Sequence, residues 1–259
     1  MRREYLSDSR RSRQVISLSV TPTRAVIGGS TISEQSVVHS KSKGLGSTLR
    51  HTLRPSDIAL TFDDGPNPAA TPQILDLLNR YSVRATFFVI GRYVRDCPGL
   101  VSEMAVLGHD LGNHTNTHPA LAVLSSRQIE EELSVCQDVI AHVAGARPFW
   151  MRPPFGLSGP RLRGAVLRTG LRGIAMWSFA CGDWNRQSGE QLIGCLAGVG
   201  QAKDRGGDIV LLHDGDYRTM NGERQHVVAA LKHWLPRWRD AGHQFVTIDQ
   251  LANECGTKM

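Results

Sequence analysis

The chain is 259 residues long, with 41% hydrophobic and 21% charged residues; this ordinary globular usage excludes a coiled coil or a wholly disordered polymer. The length suits one large domain or two small ones, and no stretch approaches the roughly 18 uninterrupted apolar residues of a membrane span. The net charge of +6 is uneven: residues 1–54 hold ten Lys or Arg against three acids, which leaves the remaining 205 at −1, so the body lacks the basic footprint of a nucleic-acid binder.

Residues 1–55 read as an extension. Positions 1–54 include eleven serines and no Phe or Trp, too little apolar surface to offset the entropy of ordering, and disorder is expected there. The segment is Arg/Ser-rich and acid-poor, so a targeting role or a tether to an anionic surface stands beside a plain solvated extension. The apolar run at 15–20 is short and broken by Ser17 and Ser19; no secretory signal is expected, and the cytoplasm is the expected compartment. Cys97, Cys136, Cys181, Cys195 and Cys255 are odd in number and never spaced C-x-x-C. That spacing argues against a disulfide framework or thiolate zinc site and leans toward a reducing compartment.

The body, residues 56–254, alternates strands with helices. The apolar run 58–62 ends in Asp63-Asp64-Gly65-Pro66 and reads as a buried strand entering a turn. Thr71-Pro72 opens a helix through Ile74, Leu75, Leu77 and Leu78. A second strand is predicted over 85–90, a helix over 99–107 and a third strand near 109–113. Ser126 is the expected cap of a helix to about 143, with Glu130 and Glu131 in its early turns. Strands near 149–152, 173–178, 208–213 and 244–248 follow, separated by helices near 158–170, 188–199 and 226–241, the last with a kink at Pro236. This alternation predicts an α/β fold with a mainly parallel sheet, and about seven such units suit a barrel better than an open sheet.

Parallel α/β folds gather their chemistry at the carboxyl ends of the strands, and titratable residues stand there in this chain. Asp63 and Asp64 end the first strand, His114 and His118 follow the third, Arg152 ends the next, Asp183-Trp184 comes after the strand holding Trp177, and His213 closes the run 209–212. On a helical turn, His114 and His118 at i, i+4 would face one cation together. Two adjacent carboxylates repel unless a cation or Arg stabilises them, and consecutive side chains on a strand diverge, so Asp63 and Asp64 are expected to do different jobs. Taken singly, each has a plain structural reading: turn aspartates, surface histidines, a core His213, a packing Trp184. Their co-occurrence carries the functional one. His109 reads as structural.

The strings Thr61-Phe62-Asp63-Asp64-Gly65-Pro66-Asn67-Pro68, Ala85-Thr86-Phe87-Phe88-Val89, His114-Thr115-Asn116-Thr117-His118, Arg152-Pro153-Pro154-Phe155-Gly156, Asp183-Trp184 and Leu211-Leu212-His213-Asp214 together resemble the polysaccharide deacetylases, also called the NodB homology domain or carbohydrate esterase family four. The resemblance covers about residues 56–252. It implies a distorted (β/α)7 barrel and a metal-dependent hydrolase that removes acetyl groups from N-acetylated sugars. By that resemblance Asp63 is the base, held by Arg152, and His213 the acid, oriented by Asp183. Asp64, His114 and His118 bind a divalent metal, zinc first, with cobalt or manganese as alternatives. Trp184 and Leu211 wall the acetyl methyl, and a backbone N–H near Phe155 assists the oxyanion.

Such a cation polarises an amide carbonyl and acidifies a water. An amide nitrogen must be protonated to leave, which is the work expected of His213. Where the family often carries an aspartate three residues before Asp183, this chain has Ala180, followed by Cys181; that loop bears on substrate access, and Cys181 would be open to oxidation or to a soft metal. The spacing of Asn67-Pro68 and Thr71-Pro72 is most similar to chitooligosaccharide deacetylases, with peptidoglycan N-acetylglucosamine deacetylases and acetylxylan esterases as alternatives. Asp216, Tyr217, Arg218 and Asn221 are candidate sugar contacts. A catalytically silent carbohydrate-binding protein would need neither Asp63 nor His213, and nucleic-acid binding through the extension is the remaining rival.

Overall fold

The computed structural model describes residues 46–201 and 206–256. The extension expected over 1–55 lies outside the described residues as far as residue 45. Among the described residues, β1 (Ser47–Leu49) is already part of the sheet, within the segment expected to be extension.

The elements then run β2 (Asp57–Gly65), α1 (Thr71–Arg80), β3 (Thr86–Val89), α2 (Gly91–Asp96), α3 (Pro98–Val106), β4 (Asp110–Asn113), α4 (Ser126–Ala144), β5 (Trp150–Met151), α5 (Leu162–Arg168), β6 (Gly173–Ala175), β7 (Phe179–Ala180), α6 (Gly189–Leu196), β8 (Asp208–His213), α7 (Gln225–Asp240), β9 (Gln244–Phe245) and α8 (Ile248–Gly256). Strand order is β1-β6-β5-β4-β3-β2-β8-β7, with β9 also on β2, and every strand pair is parallel. The stretch 173–180 bonds β5 through β6 and β8 through β7, with Ser178 N–H donating to the Ile209 carbonyl between them. One segment thus joins the two ends of the order and curls the sheet into the distorted (β/α)7 barrel expected from the sequence.

The core forms three clusters, and side-chain alternation along the central strands separates two of them. Ile58, Leu60 and Phe62 of β2 and Val210 and Leu212 of β8 pack outward against the helices, with Ile74, Leu75 and Leu78 of α1 among their partners. Ala59, Phe88, Ala175 and Ile209 face a second, smaller cluster. All nine residues of β2 are buried, as expected of a strand covered on both faces. Gly112 on β4 is required by this inner packing: a Cβ there would lie 2.2 Å from the Phe88 ring.

Some local expectations change. The cap of α4 is Ser125, not Ser126; it accepts from Gln128 N–H in a capping box that holds the helix start. Helix α7 holds Pro236 in its interior, where the sequence places it. Strand β9 stops at Phe245, and the chain turns into α8, where Ile248 and Leu251 join the smaller cluster. Helix α2 was not expected, since six residues are too few to show a helical period. Among the described residues, no helix is long and apolar enough to cross a membrane.

Cys181 and Cys195 form a disulfide, with Cα atoms 5.9 Å apart. This corrects the reading drawn from cysteine spacing: two thiols 14 positions apart meet only because β7 and α6 bring them together. Cys181 is therefore not a free thiol for soft-metal binding. Disulfides persist mainly in oxidising compartments, so the cytoplasmic expectation loses its cysteine support.

Candidate active site

The carboxyl ends of the strands open into a cleft of about 360 Å³ lined by Asp63, Asp64, His114, His118, Phe155, Trp184, Leu211 and His213. Strand register does the first positioning. Asp63 and His213 are Cα partners across β2 and β8, as are Thr61 and Leu211 one step earlier on the same face. A base and an acid candidate thus stand side by side at the barrel mouth.

Asp63 and Asp64 both reach the cleft, although neighbouring strand residues ordinarily point apart. Asp64 adopts φ 69°, and the register against β3 slips between Asp63 and Gly65. This bulge turns the second carboxylate back toward the histidines. Gly65 is needed there, because a Cβ would come within 2.3 Å of the Asp214 carboxylate. Asp214 is itself buried and accepts from Thr71 Oγ1 at 2.5 Å, and burial raises its carboxyl to about 7.

His114 and His118 do not lie on a helical turn, in correction of the spacing argument. They bracket a loop in which Thr115 (φ 67°) and His118 (φ 64°) are left-handed. Side chains hold this costly backbone. Asn113 Oδ1 accepts from Thr115 N–H, Thr115 Oγ1 accepts from His118 N–H, and Asn113 Nδ2 donates to the Leu133 carbonyl. Glu132 of α4 grips the loop from outside: Oε2 accepts from Asn116 N–H at 2.9 Å and Thr117 N–H at 2.8 Å, while Oε1 accepts from Thr117 Oγ1 at 2.7 Å. The imidazole of His118 is stacked on Tyr217 (centroids 4.3 Å, 17°) and meets the edge of Phe155 (4.8 Å, 77°).

The donor set fits a divalent cation. His114 Nδ1 lies 2.8 Å from the Arg152 carbonyl; a carbonyl only accepts, so Nδ1 carries the proton and the neutral ring presents a lone pair at Nε2. That Nε2 is 3.3 Å from Asp64 Oδ1, and His118 Nε2 is 3.1 Å from the same oxygen. Asp64 Oδ1 is buried with no hydrogen bond of acceptable geometry. One ligand atom from each residue falls within 4.8 Å of the others, and lone pairs converging in this way call for a cation between them. Without one, burial would push the Asp64 carboxyl up, but His114 and His118 hold it well below the usual range, while burial lowers the His118 imidazole.

Two buried ion pairs flank this set. Arg152 is fully buried; its Nη1 donates to Asp63 Oδ1 at 2.8 Å and to Thr61 Oγ1 at 2.7 Å, and the rest of its fork donates to the Ala175 and Met176 carbonyls. Its guanidinium lies over the Phe88 ring at 4.2 Å. Asp63 Oδ2 is left facing His114 Nε2 at 3.8 Å. On the other side, Asp183 Oδ2 accepts the His213 backbone N–H at 2.7 Å and Oδ1 lies 2.9 Å from His213 Nδ1. Burial works against a charged His213, but Asp183, then Asp64 and Asp63, outweigh it and raise the imidazole to about 9.

Phe155 (51% exposed) and Trp184 (48% exposed) present apolar surface at the mouth, with Leu211 buried beneath. Phe155 has φ 58°. Of the candidate sugar contacts, Asp216, Tyr217 and Arg218 line the cleft and Asn221 does not. Sequence reading missed Glu132 as the clamp of the histidine loop, and Tyr217 as the ring under His118. Neither role leaves a signal at short spacing. His109, expected to be structural, is buried and accepts from Ala85 N–H, and burial lowers it to about 4.

A parallel α/β barrel with an Asp-His-His set between two buried ion pairs defines a candidate metal-dependent hydrolase. The chain belongs to the polysaccharide deacetylase family, whose pattern matches residues 50–174. It is 35% identical over 207 residues to the chitooligosaccharide deacetylase of Azorhizobium caulinodans, an alignment covering 76% of this chain and 95% of that one. It is 37% identical over 194 residues to the peptidoglycan-N-acetylmuramic acid deacetylase of Bacillus subtilis, covering 75% of this chain but only 38% of that longer protein. Among solved structures, a peptidoglycan N-acetylglucosamine deacetylase superposes with a TM-score of 0.70 at 30% identity, over 79% of this chain and 91% of the other.

Proposed function

We propose that the chain removes N-acetyl groups from N-acetylglucosamine-containing oligosaccharides of the chitooligosaccharide type, with zinc held by Asp64, His114 and His118. The observation that carries this reading is the register pair Asp63–His213: a carboxylate and an imidazole suited to the roles of base and acid stand side by side at the mouth of the cleft that holds the Asp-His-His set. Bound there, the cation supplies Lewis acidity toward the amide carbonyl and a water. Asp63, one oxygen committed to Arg152, accepts the proton of the attacking water through the other. His213, whose imidazolium Asp183 stabilises, protonates the departing amide nitrogen. Leu211, Trp184 and Phe155 shield the acetyl methyl from solvent, and the Phe155 backbone N–H assists as negative charge develops on oxygen.

The disulfide favours a second reading, deacetylation of a glycan outside the cytoplasm, such as peptidoglycan. Acetate release from chitin oligomers, peptidoglycan and acetylxylan, with chelator and then with zinc or cobalt, distinguishes them. Release from chitin oligomers is expected; release confined to peptidoglycan or acetylxylan overturns the substrate, and release from none overturns the enzyme.

A further inference from the structure

We propose that the Cys181–Cys195 disulfide is a positioning element of the active site: it fastens the loop bearing Asp183 and Trp184 to α6, and turnover depends on the bond remaining oxidised. The proposal rests on the reading in which Asp183 orients His213.

The loop between β7 and α6 starts at Cys181, which packs against the main core, and is mostly exposed from Trp184 on. Of residues 181–188 only Asp183 is buried, and Trp184, Asn185 and Arg186 are exposed. Inside the loop, Asn185 N–H donates to the Gly182 carbonyl and Gln187 Nε2 to the Cys181 carbonyl. Gly182 takes φ 67°, so the chain makes a sharp left-handed turn immediately before Asp183. Yet both side chains that this loop delivers act on His213. The Asp183 carboxylate is wholly engaged by it, and the Trp184 ring meets the imidazole edge-on at 5.5 Å. Asp183 has one further contact, its carbonyl lying 2.8 Å from His226 Nε2.

Helix α6 is the opposite case. Leu192 and Leu196 are fully buried in the main core, and Ser188 and Gln191 close a capping box at its start. The disulfide therefore ties the start of a loop that is exposed from Trp184 on to a helix that the core holds in place. It enters the loop two residues before Asp183 and three before Trp184. Cys195 is exposed, so a soluble reductant reaches the bond without unfolding the barrel.

The test uses the whole chain loaded with zinc, assayed on chitin oligomers before and after treatment with a water-soluble phosphine. The phosphine takes up oxygen from water and becomes the phosphine oxide; the S–S bond breaks, and each sulfur gains one electron and one proton. A Cys181→Ser/Cys195→Ser variant runs alongside. The expected result is a fall in kcat of about tenfold or more in both cases, since small misplacements of catalytic groups cost this much. Zinc affinity, measured by chelator competition, is expected to stay unchanged, and reoxidation restores the reduced wild type while the double variant does not respond to phosphine. A reduced wild type that keeps its kcat overturns the inference, whether or not the variant folds. So does a parallel fall of kcat and zinc affinity, which would mark general loosening. An oxidised wild type inactive on every substrate overturns the functional reading and this inference with it.

Discussion

Arg152 and Asp63 meet at 2.8 Å with the guanidinium fully buried, so the cation that holds the proposed base is part of the barrel interior. Burial lowers the Arg152 guanidinium from its ordinary value, and Asp63 opposes that shift. Removing one partner of such a pair strands the other charge. Arg152→Gln is expected to destabilise the fold by about 3–5 kcal/mol, read by denaturant unfolding. Asp63→Asn keeps an oxygen acceptor for Arg152 but leaves its charge unpaired, so it too is expected to lower stability, while the folded protein retains ligand binding and turnover falls roughly 10²–10⁴-fold. Turnover that persists in Asp63→Asn removes it as the base.

His213 provides the pH signature. Its imidazole, raised to about 9 chiefly by Asp183 against the effect of burial, lies above its unfolded value of about 6.5. The stabilisation from the charged form is then complete below that unfolded value and is lost as pH rises through about 9. Asp183→Asn removes the largest favourable influence on the imidazolium. It is expected to move the His213 titration, followed by NMR, to lower pH, and the alkaline limb of kcat/KM with it. An unmoved titration excludes Asp183 as the source.

Loading the Asp-His-His set is expected to raise Tm, because a ligand that binds only the folded state stabilises it by about 2.7 kcal/mol at a hundredfold excess over Kd. Asp64→Asn and His114→Ala are each expected to remove most of this gain in calorimetry with zinc. A wild-type Tm indifferent to zinc, cobalt and manganese would refute the site.

Glu132 touches none of the three ligands, yet it accepts from two backbone N–H groups and one hydroxyl of the loop between His114 and His118. Glu132→Ala is expected to weaken zinc binding by roughly 10–100-fold, the usual effect of losing a group that supports metal ligands. Activity is expected to recover at saturating zinc. Unchanged affinity would make the clamp dispensable.

Much of this site is local enough to read from sequence. Asp63, Asp64, Arg152 and His213 each sit where an apolar strand run ends, and a parallel α/β pattern sends such residues to one rim. The strands near 58–62, 85–90 and 208–213 and their intervening helices are carried by apolar runs and cap residues. Short segments fared worse. Helix α2 and strand β1 have too few residues for a period, and α8 is recruited by packing inside the barrel. The histidine pair shows the limit of spacing arguments: i, i+4 suggested one helical face, and the two rings meet through a loop with two left-handed residues instead.

By itself the sequence determined which residues could do chemistry and the strand ends on which they stand, because residue type and hydrophobic period are properties of neighbours along the chain. Only the tertiary structure decided that Asp63 faces His213 across β2 and β8, that Arg152 fills the barrel interior, that Glu132 and Tyr217 brace the histidines, and that Cys181 bonds Cys195. Those relationships join residues from 14 to 150 positions apart, and they are set by strand register and packing, which no local pattern encodes.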